Sequence, residues 1–249
     1  MFEIKLWGKC PTANASFWQN LPKEIHLIEV LEKPTGKAHL DQDQADQFYL
    51  FYEGNRLTLG FTHEILKSVK PLSFDWEDTI SSLRKTLRGV KEESLYKALA
   101  IQKNKDPMVA DATLGTGKDA LLMRLMGAKV DGYERNPWVY LLALDAFRRL
   151  SNKDSLTINF GSPDKEYPFI YFDPMFPEKK KSALPPKEMQ IFKLLVGEDI
   201  DQESVALKLL HLAQKRLLVK RPSWALPVLP KPHMSYESKL MRLDAYVQS

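Results

Sequence analysis

Residues 108–120 read Met108-Val109-Ala110-Asp111-Ala112-Thr113-Leu114-Gly115-Thr116-Gly117-Lys118-Asp119-Ala120. A short apolar run reaches an acid, crosses a glycine-rich turn and enters a helical segment that stops at Gly127. A turn of this kind between a strand and a helix lets a ligand come close to the backbone. Three ligands compete for it. A triphosphate loop needs Gly, four residues, then Gly-Lys-Ser/Thr. Here Ala112 replaces the first glycine and Asp119 replaces the hydroxyl residue, so an extra carboxylate would face phosphate. A dinucleotide turn needs Gly-x-Gly-x-x-Gly/Ala and an acid ~20 residues later. Gly115, Gly117, Ala120 and Glu134 meet that spacing. Against it, the glycines start well past the strand end, and Asp119 puts a carboxylate where a pyrophosphate would dock on the helix N-terminus. S-adenosylmethionine has no phosphate. Asp111 at the strand end can take its ammonium, and Glu134, ending the next strand, can accept both ribose hydroxyls.

Outward from this loop, strands and helices alternate. The pattern predicts strands over 128–134, 156–160, 169–173 and 216–220, and a final alternating strand over 240–247. Asn136-Pro137 predicts a helix running to about Leu150, with Asn as cap and Pro in the first turn. Residues 76–103 have helical spacing interrupted near Gly89, and 201–214 read as a helix. Such alternation predicts an α/β fold with a doubly wound, mainly parallel sheet. Upstream, Phe48–Tyr52 and Arg56–Phe61 flank Glu53-Gly54-Asn55 as a hairpin, Leu27–Val30 is a strand candidate, and Pro34-Thr35-Gly36 is punctuation. The expected organisation is a small β-rich domain over 1–78 and a catalytic domain over 79–249.

The second informative stretch is Asp173-Pro174-Met175-Phe176-Pro177, after the apolar run Phe169–Phe172. Doubly wound folds bind ligands at the C-terminal ends of their strands. An exocyclic amine on a base is a poor nucleophile, because its lone pair is delocalised into the ring. A carboxylate and a carbonyl accepting its two N–H groups would orient it for attack. Asp173 supplies the carboxylate and Pro174 the carbonyl. The prolines stiffen the loop, and Phe176 offers a flat face to an unpaired base. An ordinary aspartate titrates near ~3.9, which suits an orienting role better than a deprotonating one.

The quintet resembles the Asp/Asn-Pro-Pro-aromatic motif of amino-group methyltransferases, with Met175 in place of the second proline. A narrower resemblance covers more of the chain. Asp111-Ala-Thr-x-Gly-x-Gly-x-Asp119, Glu134-Arg135-Asn136-Pro137 and Tyr171-Phe-Asp-Pro-Met-Phe-Pro177 are similar to the ribosomal RNA small subunit methyltransferase J family. So are Lys181–Leu184, Lys187-Glu188-Met189, Val219–Pro222 and Arg242–Tyr246. The resemblance implies a class I methyltransferase fold, S-adenosylmethionine as cofactor and methylation of a guanine N2 in small-subunit rRNA. It implies cofactor contacts from Lys118-Asp119, Glu134-Arg135, Gly161-Ser162 and Asp173. The chain departs from the family upstream, where Arg84–Lys91 holds a single glycine in place of a glycine-rich basic stretch.

Composition sets the frame. The 249 residues are 44% hydrophobic and 27% charged, which excludes collagen-like, disordered and disulfide-scaffold chains. The single Cys10 cannot pair internally, no run approaches the ~18 apolar residues of a membrane span, and Met1–Trp7 lacks the apolar core of a signal peptide. A cytoplasmic location is expected. Scattered histidines indicate no metal site. The net charge of +4 is uneven: residues 174–249 hold 13 basic and 8 acidic residues, and the rest balances nearly to zero. Lys179-Lys180-Lys181 directly follow the Asp173 turn, and Lys220-Arg221 with Trp224 are expected on the same rim, where they could grip rRNA or a small ribosomal subunit. Alternatives are a methyltransferase for an adenine or cytosine amine or a protein side chain, an RNA-binding module without activity, and a nicotinamide dehydrogenase.

Overall fold

Alternating apolar residues and amphipathic segments resolve, in the computed structural model, into eleven strands and six helices among the described residues. These are 1–8, 18–30, 48–62, 70–87, 94–101, 103, 105–176, 187–197, 200–238 and 240–247. Cys10, Pro34-Thr35-Gly36, Gly89 and Lys179–Lys181 lie outside them. The strands are β1 (Phe2–Trp7), β2 (Ile25–Val30), β3 (Phe48–Glu53), β4 (Arg56–Phe61), β5 (Met108–Asp111), β6 (Lys129–Glu134), β7 (Leu156–Phe160), β8 (Tyr167–Phe172), β9 (Ala213–Pro222), β10 (Met234–Glu237) and β11 (Met241–Tyr246). The helices are α1 (Trp76–Thr86), α2 (Ser94–Ala98), α3 (Lys118–Leu125), α4 (Pro137–Arg149), α5 (Lys187–Val196) and α6 (Gln202–Leu212).

Contacts divide the chain into two compact units. One comprises Met1–Phe74, Asn136–Arg149 and Lys180–Gly197; the other comprises Asp75–Arg135, Leu150–Lys179 and Glu198–Ser249. The first unit therefore takes in two segments, α4 and α5, that fall within 79–249.

In the second unit, seven strands run in the order β10-β11-β9-β8-β5-β6-β7. The five from β7 to β9 are parallel, and β11 and β10 close one edge antiparallel. Counted from β5, this is the 3-2-1-4-5 order of a Rossmann-type sheet, to which a reversed hairpin is added. The central strands are apolar on both faces, as a covered parallel sheet requires: Val109, Ala110, Phe169, Ile170, Leu217, Leu218 and Val219 are all nearly inaccessible. Ala206 and Leu209 of α6 join one side of this core. Each fully buried Leu, Ile or Phe contributes roughly 1.5–3 kcal/mol. Because β5 pairs with β6 on one side and β8 on the other, its C-terminal end is the point where chain direction around the sheet reverses. Ligands bind in the crevice such a reversal opens.

In the first unit, a four-stranded sheet has the order β2-β1-β3-β4. β3 and β4 form the expected antiparallel hairpin, and β1 pairs parallel with both neighbours. Phe48 packs on Trp138 of α4 at 6.2 Å between ring centroids, and Phe74 stacks on Phe192 of α5 at 6.1 Å. Asn136 caps α4 as expected, its Oδ1 accepting from the amides of Trp138 and Val139. Asp145 is fully buried beneath the hairpin and accepts from Leu57 N at 3.0 Å.

Candidate active site

The glycine loop is built by local hydrogen bonds and by one distant tryptophan. Asp111 Oδ1 accepts from Thr113 N at 3.1 Å, and Leu114 N donates to Tyr133 O of β6 at 2.9 Å. The chain then enters α3 through Gly115 and Gly117, at φ +52° and +81°. A side chain at Gly117 would be strained by that φ and would meet the Trp76 indole 2.5 Å away. Trp76 Nε1 donates to Thr116 O at 2.8 Å and so seats the loop from beneath. Glu134, nearly buried at the end of β6, accepts from Gly115 N at 3.0 Å. Gly161, just past β7, has φ +99°, donates to Glu134 O, and would carry a Cβ into open space.

Asp111 is 1% exposed, and its Oδ2 has no hydrogen-bond partner among the described residues. Burial pushes this carboxyl well above the usual range, and the charges of Asp119 and Asp173 add to the push. The Thr113 amide and Lys220 oppose it.

Beside it lies a charged cluster. Lys220 Nζ contacts Asp119 Oδ2 at 2.7 Å and Asp173 Oδ2 at 2.9 Å. Tyr171 Oη donates to Asp119 Oδ2 at 2.5 Å. Asp173 is placed because Phe172 pairs with Val219, so Asp173, the residue after β8, comes beside Lys220 of β9. Its backbone amide donates to Thr113 Oγ1 at 2.7 Å, which ties it to the glycine loop. Burial pushes Asp173 up to about 6, with Asp119 adding and Lys220 and Arg221 opposing. Its side chain is half-buried, and among the described residues nothing donates to Oδ1. For Asp119, burial raises the carboxyl, but the Lys220 charge and the hydrogen bonds from Lys220 and Tyr171 outweigh it and hold it low. Burial would lower Lys220, and the two carboxylates outweigh that. A cavity of about 460 Å³ opens beside this cluster, walled by Asp119, Tyr171 and Lys220 and closed by α2 and the β10–β11 hairpin.

A strand-end acid, a glycine loop and a second strand-end acid are thus gathered at the C-terminal ends of β5 and β6. The family model described as SAM-dependent methyltransferase matches residues 34–248. Ribosomal RNA small subunit methyltransferase J of Haemophilus influenzae is 38% identical over 245 residues, covering 88% of this chain and 95% of the relative. The protein of the same name in Pseudoalteromonas translucida is 34% identical, covering 89% and 93%, and that of Bdellovibrio bacteriovorus is 37% identical, covering 90% and 92%. The chain belongs to the ribosomal RNA small subunit methyltransferase J family. The fold agrees: a SAM-dependent methyltransferase from Neisseria gonorrhoeae superposes with TM-score 0.71 at 23% identity, covering 99% of this chain and 96% of that one.

As a member of this methyltransferase family the chain uses S-adenosylmethionine, and the residues present fit that group. An orphaned, buried carboxylate oxygen at Asp111 suits an ammonium, and positive-φ glycines at 115 and 161 leave room where a Cβ would stand. Lys118 and Ser162 are exposed, and Arg135 is exposed in a bidentate pair with Asp201 at 2.9 and 3.2 Å.

The residues expected on the RNA rim divide. Lys220 directs its charge to two carboxylates. Arg221 is 8% exposed, donates to Leu226 O and Gln202 Oε1, and lays its guanidinium over the Phe176 ring at 4.3 Å. Trp224 is exposed, and Pro174 is buried. Trp76, Thr113 and Tyr171 gained no site role from sequence spacing. Tyr171 and Thr113 stood inside the quoted motifs, whereas nothing in the spacing singles out Trp76.

Proposed function

We propose that this chain methylates the exocyclic N2 of a guanine in small-subunit rRNA, in the cytoplasm, on free rRNA or an assembling subunit. Residues 79–249 would hold the transfer chemistry, with 1–78 as an N-terminal element. The observation that carries this reading is Asp173: one oxygen is fixed by Lys220, the other is open at the strand end, and the orphaned Asp111 oxygen lies on the neighbouring strand.

S-adenosylmethionine supplies an electrophilic methyl on a sulfonium. Asp111 would hold its ammonium and Glu134 its ribose, with the backbone at Gly115 and Gly161 leaving room, Gly117 turning the loop against Trp76, and Lys118, Asp119, Arg135 and Ser162 at the margins. Asp173 Oδ1 and the Pro174 carbonyl would accept the two N–H groups of the guanine amine, turning its lone pair toward the methyl. Phe176, backed by Arg221, would stack the base. The lysines at 179–181 and Trp224 would meet the RNA around it. With Asp173 titrating near 6 rather than at the ordinary value, it is ionised at neutral pH and can accept. The amine proton leaves to water after transfer.

Methyl transfer from labelled S-adenosylmethionine to 16S rRNA and to small subunits tests this reading. Asp173→Ala is expected to lower turnover about 10²–10³-fold while S-adenosylmethionine affinity stays within a few-fold. Near-wild-type turnover in that variant would remove Asp173 from the reaction.

A further inference from the structure

Lys220 lies near the C-terminal end of β9, on the rim where a basic residue would be expected to face RNA, yet its ammonium turns inward. It sits 2.7 Å from Asp119 Oδ2 and 2.9 Å from Asp173 Oδ2. The carboxylates come from different places, Asp119 from the first turn of α3 and Asp173 from the end of β8, 101 and 47 residues away in sequence. The Lys220 side chain is 26% exposed, and both partners are similarly half-buried. A phosphate reaching for this ammonium would have to displace a carboxylate that is already close.

We propose that Lys220 is a positioning residue for methyl transfer, its ammonium fixing Asp173 Oδ2 so that Oδ1 alone meets the target amine. This rests on the assignment of Asp173 made above. A carboxylate tethered at one oxygen cannot rotate to offer either oxygen at random, and a single fixed acceptor is what orients a weakly nucleophilic amine. The same ammonium ties Asp173 to the start of α3, so the acceptor is held by two elements at once. Charge matters as well. The groups facing Asp173 are Asp111 from β5, Asp119 from α3, Tyr171 from β8, and Lys220 and Arg221 from β9. Asp119 opposes its ionisation, and Lys220 is the cation within hydrogen-bond reach of it. Without Lys220, Asp173 ionises only at higher pH, and below that pH it cannot accept from the amine.

The positioning role separates cleanly from an RNA-gripping role. A lost phosphate contact weakens RNA binding and reduces the salt slope by about one. A lost positioning contact acts on turnover and on its acid limb. Full-length wild type, Lys220→Met and Lys220→Arg are compared at saturating S-adenosylmethionine, with 16S rRNA titrated across pH and salt. For Lys220→Met the expected result is a turnover at least about tenfold lower at neutral pH, with KM for rRNA within about twofold. Its acid limb should lie about one to three pH units higher, with the salt slope unchanged. Lys220→Arg keeps the charge and should return the limb close to wild type. A raised KM with a smaller salt slope and an unmoved limb would overturn the proposal, as would a Lys220→Arg limb matching Lys220→Met. Should Lys220→Met not fold, Asp119→Asn carries the test: one opposing charge is gone, so the limb should fall, and an unmoved limb overturns the proposal. Wild type inactive on every nucleic-acid amine overturns both the Asp173 assignment and this role; wild type active with an unmoved Lys220→Met limb overturns this role alone.

Discussion

Two buried aspartates in this molecule show opposite states of completion. Asp145, in the unit of the N-terminal sheet, is 0% exposed and has both oxygens engaged. Oδ1 accepts from Arg148, and Oδ2 accepts from Arg149 and from the Leu57 amide. Asp111, in the unit of the seven-stranded sheet, is 1% exposed, has one oxygen bonded only by the Thr113 amide, and has no partner for the other. A buried charge is tolerable when paired and costly when not. The first site is finished by the chain itself. The second is left unfinished at the point where the sheet reverses direction, and a cationic ligand would complete it.

Substitution at both positions breaks or sharpens that contrast. Asp145→Ala takes the carboxylate partner from Arg148 and Arg149, which keep acceptors at Asn55 and Phe74, and leaves the Leu57 amide buried without one. It should destabilise by about 2–4 kcal/mol, the arginines' partial exposure softening the loss. Urea unfolding measures this, and a change below about 0.5 kcal/mol, the scale of an ordinary surface substitution, would show the network to be dispensable. Asp111→Asn should do the reverse. Stability holds or rises slightly, while S-adenosylmethionine affinity falls about tenfold or more, as expected when a hydrogen bond to a charged group is lost. Equal affinity in wild type and Asp111→Asn by calorimetry would detach Asp111 from the cofactor.

The smallest effect is one of pH. The unfolded chain ionises Asp111 at the ordinary value and the folded chain only at a higher one. The folded state therefore holds the proton longer, and stability declines as pH rises between the two values. Asp111→Asn cannot ionise and should escape that decline, so its thermal advantage over wild type should be larger at alkaline than at acid pH. Binding of an ammonium to the ionised form also releases a proton, so wild-type affinity should rise with pH by up to about tenfold per unit below the raised value. A pH-independent affinity would contradict this.

Much of the catalytic half was legible because its signals are local. The apolar runs before Asp111, Glu134 and Asp173, the glycine spacing and the Asn136 cap each occupy a few consecutive residues, and each formed the expected element. β10 escaped because Met234–Glu237 is exposed or half-buried throughout and shows no period. β1 escaped although Ile4 and Leu6 alternate, since its parallel partners lie far along the chain. α5 follows the lysine-rich stretch, and no element over 188–196 is expected from the sequence. Side-chain geometry at long range was not legible at all. The Asp145 acceptor for Leu57 lies 88 residues away, Trp76 supports a loop 40 residues away, and Lys220 reaches back 101 residues to Asp119. Sequence order put Lys220 on the correct rim, but only the packed structure shows which way its charge points.

The central claim is that this site methylates a guanine amine in small-subunit rRNA. Mass analysis of nucleosides from 16S rRNA of a strain lacking the protein tests it most directly, with wild type or Asp173→Ala supplied in trans. The expected result is loss of an N2-methylguanosine in the deletion, restored by wild type and not by Asp173→Ala. An unchanged N2-methylguanosine content, or loss of a methylated adenosine or cytidine instead, would contradict it.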